Sequence, residues 1–195
     1  MPSTAKKLSP TTKWLRDAKW GLFTHYMVHM PSGPIPDDMT GDIWNDKVNS
    51  FQVDKLADQL TALKVPYFFI TIGQGGNYYC SPNATYERLF GNSNRKLTDR
   101  DLVKELGVEL KSRGIKLCVY LPAVGSRESL QIQNQWQQVI TEWSVRWGDS
   151  VHAWWIDGFI NTDKTVQKAY ADAYRAGNPE TLVSFNPGTP VGINR

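Results

Sequence analysis

YFFITI, residues 67–72, carries no charged side chain. So continuous an apolar run is what a strand needs when it is covered on both faces, as in a parallel sheet. Just upstream, Val53, Leu56, Ala57, Leu60 and Leu63 recur at i, i+3, i+4, i+7 and i+10 and predict an amphipathic helix that stops before Pro66. Further upstream, WGLFTHY (20–26) is a short aromatic and β-branched strand, followed by the loop PSGPIPDDMTG (31–41). Strand, helix, strand is therefore the unit.

The unit repeats downstream. Thr98 with Asp101 resembles a capping box, and Leu102, Val103, Leu106 and Leu110 continue a helix to Gly114. IKLCVYL (115–121) is the third strand, and Trp136, Val139, Ile140, Trp143 and Trp147 give a long helix with a tryptophan-heavy buried face. VHAWWID (151–157) is the fourth strand, a helix carrying Val166, Ala169, Tyr170, Ala173 and Tyr174 ends at Gly177, and LVSF (182–185) is the fifth strand. The stretch from Gly73 to Arg100, rich in Gly, Asn, Ser and Pro, reads as a long functional loop. Right-handed crossovers make all five strands parallel.

Two architectures fit that pattern. A doubly wound sheet announces itself by a Gly-rich phosphate turn after an early strand, and neither G-x-G-x-x-G nor a P-loop follows the first strand here. Gly73, Gly75 and Gly76 follow the second strand but open no helix. The expected class is thus α/β, a partial (β/α)8 TIM barrel of about five parallel strands, whose site is built from residues at the strand C-termini. Those positions hold His25, Gln74, Asn77, Asp157 and Asn186.

Composition narrows the partners. The 195 residues carry 22 Lys+Arg against 19 Asp+Glu, a formal charge of +3, so no nucleic-acid partner is expected. No run approaches the roughly 20 apolar residues of a membrane span, and MPSTAKKLSP has no apolar segment behind its basic residues, so neither a membrane partner nor an export signal is read. A complete barrel usually needs roughly 250 residues. The reading is accordingly one barrel domain over 1–195, truncated on its C-terminal side, with open sheet edges available for self-association. Two cysteines, Cys80 and Cys118, make no disulfide framework, and three histidines without shared spacing make no metal site.

Four segments carry a family resemblance. WLRDAKWGLFTHY (14–26), FQVDKLADQLTALKVPYFFIT (51–71), RDLVKELGVELKSRGIKLCVYL (100–121) and WWIDG (154–158) resemble, in order and spacing, the N-terminal part of the barrel of glycoside hydrolase family 29, the α-L-fucosidases. The resemblance implies retaining hydrolysis of a terminal sugar, with Asp157 as nucleophile, His25 as a sugar ligand and no cofactor. It also shows a departure. Where that family has Lys-His-His-Asp-Gly-Phe, this chain has Gly73-Gln74-Gly75-Gly76-Asn77-Tyr78, so both histidines are missing and fucose as the sugar is in question.

Independently of the resemblance, a carboxylate facing inward at the end of a buried strand costs free energy unless it is paired or has a chemical role, which singles out Asp157. Retaining chemistry needs a second carboxyl group roughly 5 Å away. Glu128 in the loop after the third strand is the candidate, with Asp37, Asp38 and Asp42 behind it. Gln74 and Asn77 are candidate hydroxyl ligands. Trp155 shares the parity of Asp157 and is placed under a sugar, while Trp44 and Tyr78 are candidate pocket walls and Trp154 faces the helices. Asn83-Ala84-Thr85 fits a glycosylation acceptor. The competing reading is a non-catalytic carbohydrate-binding or degenerate barrel fragment, and little turnover is expected of the chain alone.

Overall fold

The computed structural model describes residues 10–28, 34–74, 78–91, 95–161 and 163–187. The elements in chain order are α1 (Pro10–Ala18), β1 (Leu22–Thr24), α2 (Gly41–Asn49), α3 (Val53–Ala62), β2 (Tyr67–Thr71), α4 (Ala84–Phe90), α5 (Leu102–Ser112), β3 (Lys116–Pro122), α6 (Leu130–Trp147), β4 (Val151–Asp157), α7 (Lys164–Arg175) and β5 (Leu182–Asn186). A 3₁₀ turn, Gly148–Ser150, leads from α6 into β4. All strands are parallel, and their order in the sheet is their order in the chain, β1-β2-β3-β4-β5.

Sequential order separates a barrel wall from a doubly wound sheet, in which strand order reverses and helices cover both faces. Here one face is the helical face. Phe68, Ile70, Leu117, Val119, Leu121, Trp154 and Ile156 point to it and join residues of α3, α5, α6 and α7 in one buried cluster. Trp143 stacks on Trp147 with centroids 5.9 Å apart, Trp147 on Trp154 at 5.6 Å, and Tyr174 lies 4.9 Å from Trp154. The tryptophan stripe read from α6 is thus the layer between helix and sheet. Gly177, after α7, sits where a Cβ would come within 1.9 Å of the Ser144 carbonyl oxygen, so its lack of a side chain lets the two helices close.

The other face carries alternate residues, and near the N-terminal ends of the strands it is floored by Phe69, Cys118 and Ala153. Trp14 of α1 packs there, 5.8 Å from Tyr67 and 6.4 Å from His152. Burial pushes the thiols of Cys80 and Cys118 far up, so both are inert packing atoms.

Several expectations need correction. Residues 10–18, 41–49 and 84–90 are helical, where the sequence read a polar leader and loops. The spacing of Gly41, Trp44, Asn45 and Val48, all buried, is helical; Gly, Asp and Asn in that stretch hide it. Asp101, not Thr98, caps α5, its carboxylate accepting from Lys104 N at 3.0 Å, while Thr98 Oγ1 donates to Arg100 O. Asn83 is buried, caps α4 by accepting from Tyr86 N and donates to Val139 O at 2.9 Å, so it is closed to a glycan.

Candidate active site

Asp157 ends β4 beside the last residues of two neighbours, Pro122 of β3 and Asn186 of β5. Both its carboxylate oxygens are held: Tyr120 Oη donates to Oδ2 at 2.8 Å and Asn186 Nδ2 donates to Oδ1 at 2.6 Å. Burial, reinforced by the adjacent carboxylate, pushes the Tyr120 phenol well above its ordinary range, so it stays a donor. Two donors from two different strands fix the carboxylate against the sheet. Charge-assisted bonds of this kind are roughly twice as strong as neutral ones.

Around this carboxylate the strand period assembles a platform. Phe23, His25, Gln74, Tyr120, Trp155, Asp157 and Asn186 line a cavity of about 370 Å3. Phe23 lies 4.6 Å from His25, His25 lies 5.2 Å from Tyr120, and Phe69 packs edge-on to Trp155 at 6.2 Å, ring centroid to centroid. Thr71 Oγ1 and His25 Nδ1 share a hydrogen bond of 3.1 Å, which fixes the imidazole and does not use Nε2. Gln74 Oε1 is buried without a hydrogen-bond partner, an acceptor that a bound hydroxyl would satisfy. Phe23 and Trp155 are each 40% exposed, a large share for aromatic rings flanking a carboxylate.

Asp157 also lines a second cavity of about 290 Å3, with Pro122, Ala123, Gly125, Arg127, Glu128 and Gly158. Glu128 stands just before Ser129, the residue that caps α6, and its side chain is exposed. The two carboxylates thus share a wall, while Asp42 is tied to Arg95 away from it.

The structure brings together His25, Gln74, Trp155 and Asp157, with Glu128 across the second cavity. It leaves out two candidates. Trp44 is 1% exposed and its indole N–H donates to Tyr79 O at 3.0 Å, so it is a core side chain and lines neither cavity beside Asp157. Tyr78 is also buried; its hydroxyl donates to Met39 O at 3.2 Å, and it borders a separate cleft with Thr40, Asp42, Arg95 and Lys96. Asn77 lies outside the described residues. The sequence singles out neither Tyr120 nor Arg127. Tyr120 pairs in register with Thr71 and Trp155, so strand parity could have found it, whereas nothing in a loop sequence marks Arg127.

No family model matches the sequence, and no curated protein does. Solved structures do. An endo-fucoidan hydrolase of glycoside hydrolase family 107 matches with a TM-score of 0.63 at 16% identity, over 91% of this chain and 34% of the enzyme. An α-L-fucosidase of family 29 from Bacteroides thetaiotaomicron matches at 0.66 and 15%, over 93% and 49%. The α-L-fucosidase AlfC from Lactobacillus casei, solved with its α-L-fucose product, matches at 0.64 and 13%, over 94% and 76%. This chain spans about a third of the first enzyme and half of the second. Because families 29 and 107 match alike, the likeness supports neither family in particular; what it shows is that the five parallel strands and their helices are folded like part of the barrel of these glycoside hydrolases.

Proposed function

We propose that this chain carries a retaining glycoside hydrolase site, with Asp157 as nucleophile and Glu128 as general acid and base. The observation that carries the reading is the carboxylate of Asp157, pinned through both oxygens at a strand C-terminus beside an exposed aromatic platform. In the first step a carboxylate oxygen of Asp157 attacks the anomeric carbon, the glycosidic C–O bond breaks, and Glu128 gives its proton to the leaving oxygen. In the second, Glu128 takes a proton from water, the hydroxide oxygen bonds to the anomeric carbon, and Asp157 is released as carboxylate. Tyr120 and Asn186 aim the nucleophile, and Trp155 and Phe23 offer flat apolar surface to the sugar. His25 Nε2 and Gln74 Oε1 are the hydroxyl ligands. A binding-only module is the second reading, favoured by the open exposure of Phe23 and Trp155.

Mechanism-based trapping tests the catalytic reading without requiring turnover. Exposed to a panel of 2-deoxy-2-fluoroglycosyl fluorides, the protein is expected to gain the mass of one sugar, mapped by peptide fragmentation to Asp157. A panel that binds without forming any adduct supports the binding-only reading, and an adduct on another residue removes Asp157 from the role.

Specificity is a separate expectation. Gln74 and Gly75 stand where the resembling family has paired histidines, and an unpaired hydroxyl in a dry pocket costs about 1 to 3 kcal/mol. Aryl α-L-fucoside is therefore expected to be a poor substrate, and brisk release of the aryl group in a colorimetric assay would contradict this.

A further inference from the structure

Asp157 belongs to two cavities of different character. The one over the sheet is aromatic, whereas the one beside it, between the β3–α6 loop and Gly158, is lined by Arg127 and Glu128. A glycosidase cuts a bond between two sugar residues, so a nucleophile shared by two adjoining cavities sits where such a bond would cross. We propose that the Arg127 cavity is a second sugar subsite, holding the residue on the leaving side of the bond through a pair of neutral hydroxyl groups. This rests on the reading of Asp157 given above and adds to it that the substrate is at least a disaccharide.

The cavity wall is built rather than incidental. Ala123 N donates to Asp157 O at 2.8 Å, joining the loop to the nucleophile's own backbone. Tyr170 Oη donates to Val124 O at 3.1 Å, Asn161 Nδ2 to Ser126 O at 3.3 Å, and the buried Ser126 Oγ to Ala123 O at 2.9 Å. Gly125 holds φ +67°, and a Cβ there would lie 2.2 Å from Trp136 Cδ1, so the loop can pass α6 only as glycine.

Arg127 is positioned on this rigid loop. Its Nη2 donates to Gly158 O at 3.0 Å, and Gly158 takes φ +75°, a conformation that glycine tolerates without strain. One of the five guanidinium N–H groups serves that anchor. Among the described residues no carboxylate forms an ion pair with Arg127. A planar fork with unused donors suits two neighbouring oxygens of one ligand. A glycoside offers such a pair as neighbouring hydroxyl groups; a sulfate or carboxylate group, which also fits a fork, is an outcome of the test.

Calorimetric binding to the whole chain tests this. The probes are methyl α-L-fucoside, methyl α-L-rhamnoside and methyl β-D-galactoside, each compared with a disaccharide that carries the same sugar on glucose. For the sugar that binds, the disaccharide is expected to bind about tenfold more tightly than the methyl glycoside. Arg127→Ala should erase that gain and leave methyl glycoside affinity unchanged, which also shows that the variant is folded. Arg127→Lys should restore little of it, because a point charge cannot fork. Equal affinity for both probes overturns the subsite and leaves the reading of Asp157 standing. No binding by any probe overturns both. Tighter binding of a 6-sulfated disaccharide than of its neutral counterpart overturns the assignment to hydroxyls.

Discussion

Asp157→Ala is expected to lower the rate of any glycoside hydrolysis by this protein by roughly four orders of magnitude or more, the scale on which loss of a covalent nucleophile is felt. Added azide should restore part of the rate, because the small anion fits the space the side chain leaves, and the product should be a glycosyl azide of inverted anomeric configuration. Removing the side chain also strips Tyr120 and Asn186 of their acceptor, so a loss of rate by itself could reflect a disturbed pocket. Asp157→Asn separates the two causes. Its amide oxygen can still accept from Tyr120, and Asn186 can turn its own amide to accept from the new NH2, so the hydrogen bonds survive while the nucleophile is gone. Both variants should be equally slow and Asp157→Asn should melt close to the parent. Hydrolysis that survives either substitution would remove Asp157 from catalysis.

How far this site could be read before the structure follows from strand geometry. A period of two places Trp154 toward the helices and Trp155 and Asp157 toward the opposite face, and a parallel sheet with right-handed crossovers brings all strand C-termini to one end. Those two rules suffice to bring His25, Trp155 and Asp157 together, and they are local in the chain. Gln74 follows because β2 ends only three residues earlier.

What failed lies in the connections. Local composition places Trp44 and Tyr78 in pocket walls because their neighbours, Gly, Asp, Asn and Pro, are turn formers. Yet both side chains find backbone carbonyls, Tyr79 O and Met39 O, on segments distant in sequence and bury against the helical core. Only tertiary packing decides such cases, since a tryptophan in a loop and one in a short helix have the same local composition. Tyr120 is hidden in the sequence for the opposite reason. It stands in a run of apolar residues where a hydroxyl looks incidental, and its partner Asp157 is 37 positions away.

Trp154→Ala is expected to have the largest effect on stability. Trp154 is 1% exposed on β4, which is paired on both sides, and it lies between Trp147 of α6 and Tyr174 of α7. Deleting the indole removes a large apolar surface and leaves a cavity that three separate elements would have to move to fill. Substitutions of this kind cost about 3 to 5 kcal/mol. For a chain of this size each kcal/mol lowers the melting midpoint by roughly 2 to 4 °C, so a drop of roughly 6 to 20 °C should appear in thermal denaturation followed by circular dichroism. The next residue supplies the control. Trp155 is 40% exposed on the opposite face, where its ring meets Phe69 and the cavity beside Asp157. Trp155→Ala should cost clearly less than Trp154→Ala, about 1 to 2 kcal/mol, since 40% of the residue is already in water. Its effect should appear in sugar affinity instead. If the two substitutions destabilise equally, the division of the sheet into a helical core face and an open binding face is wrong.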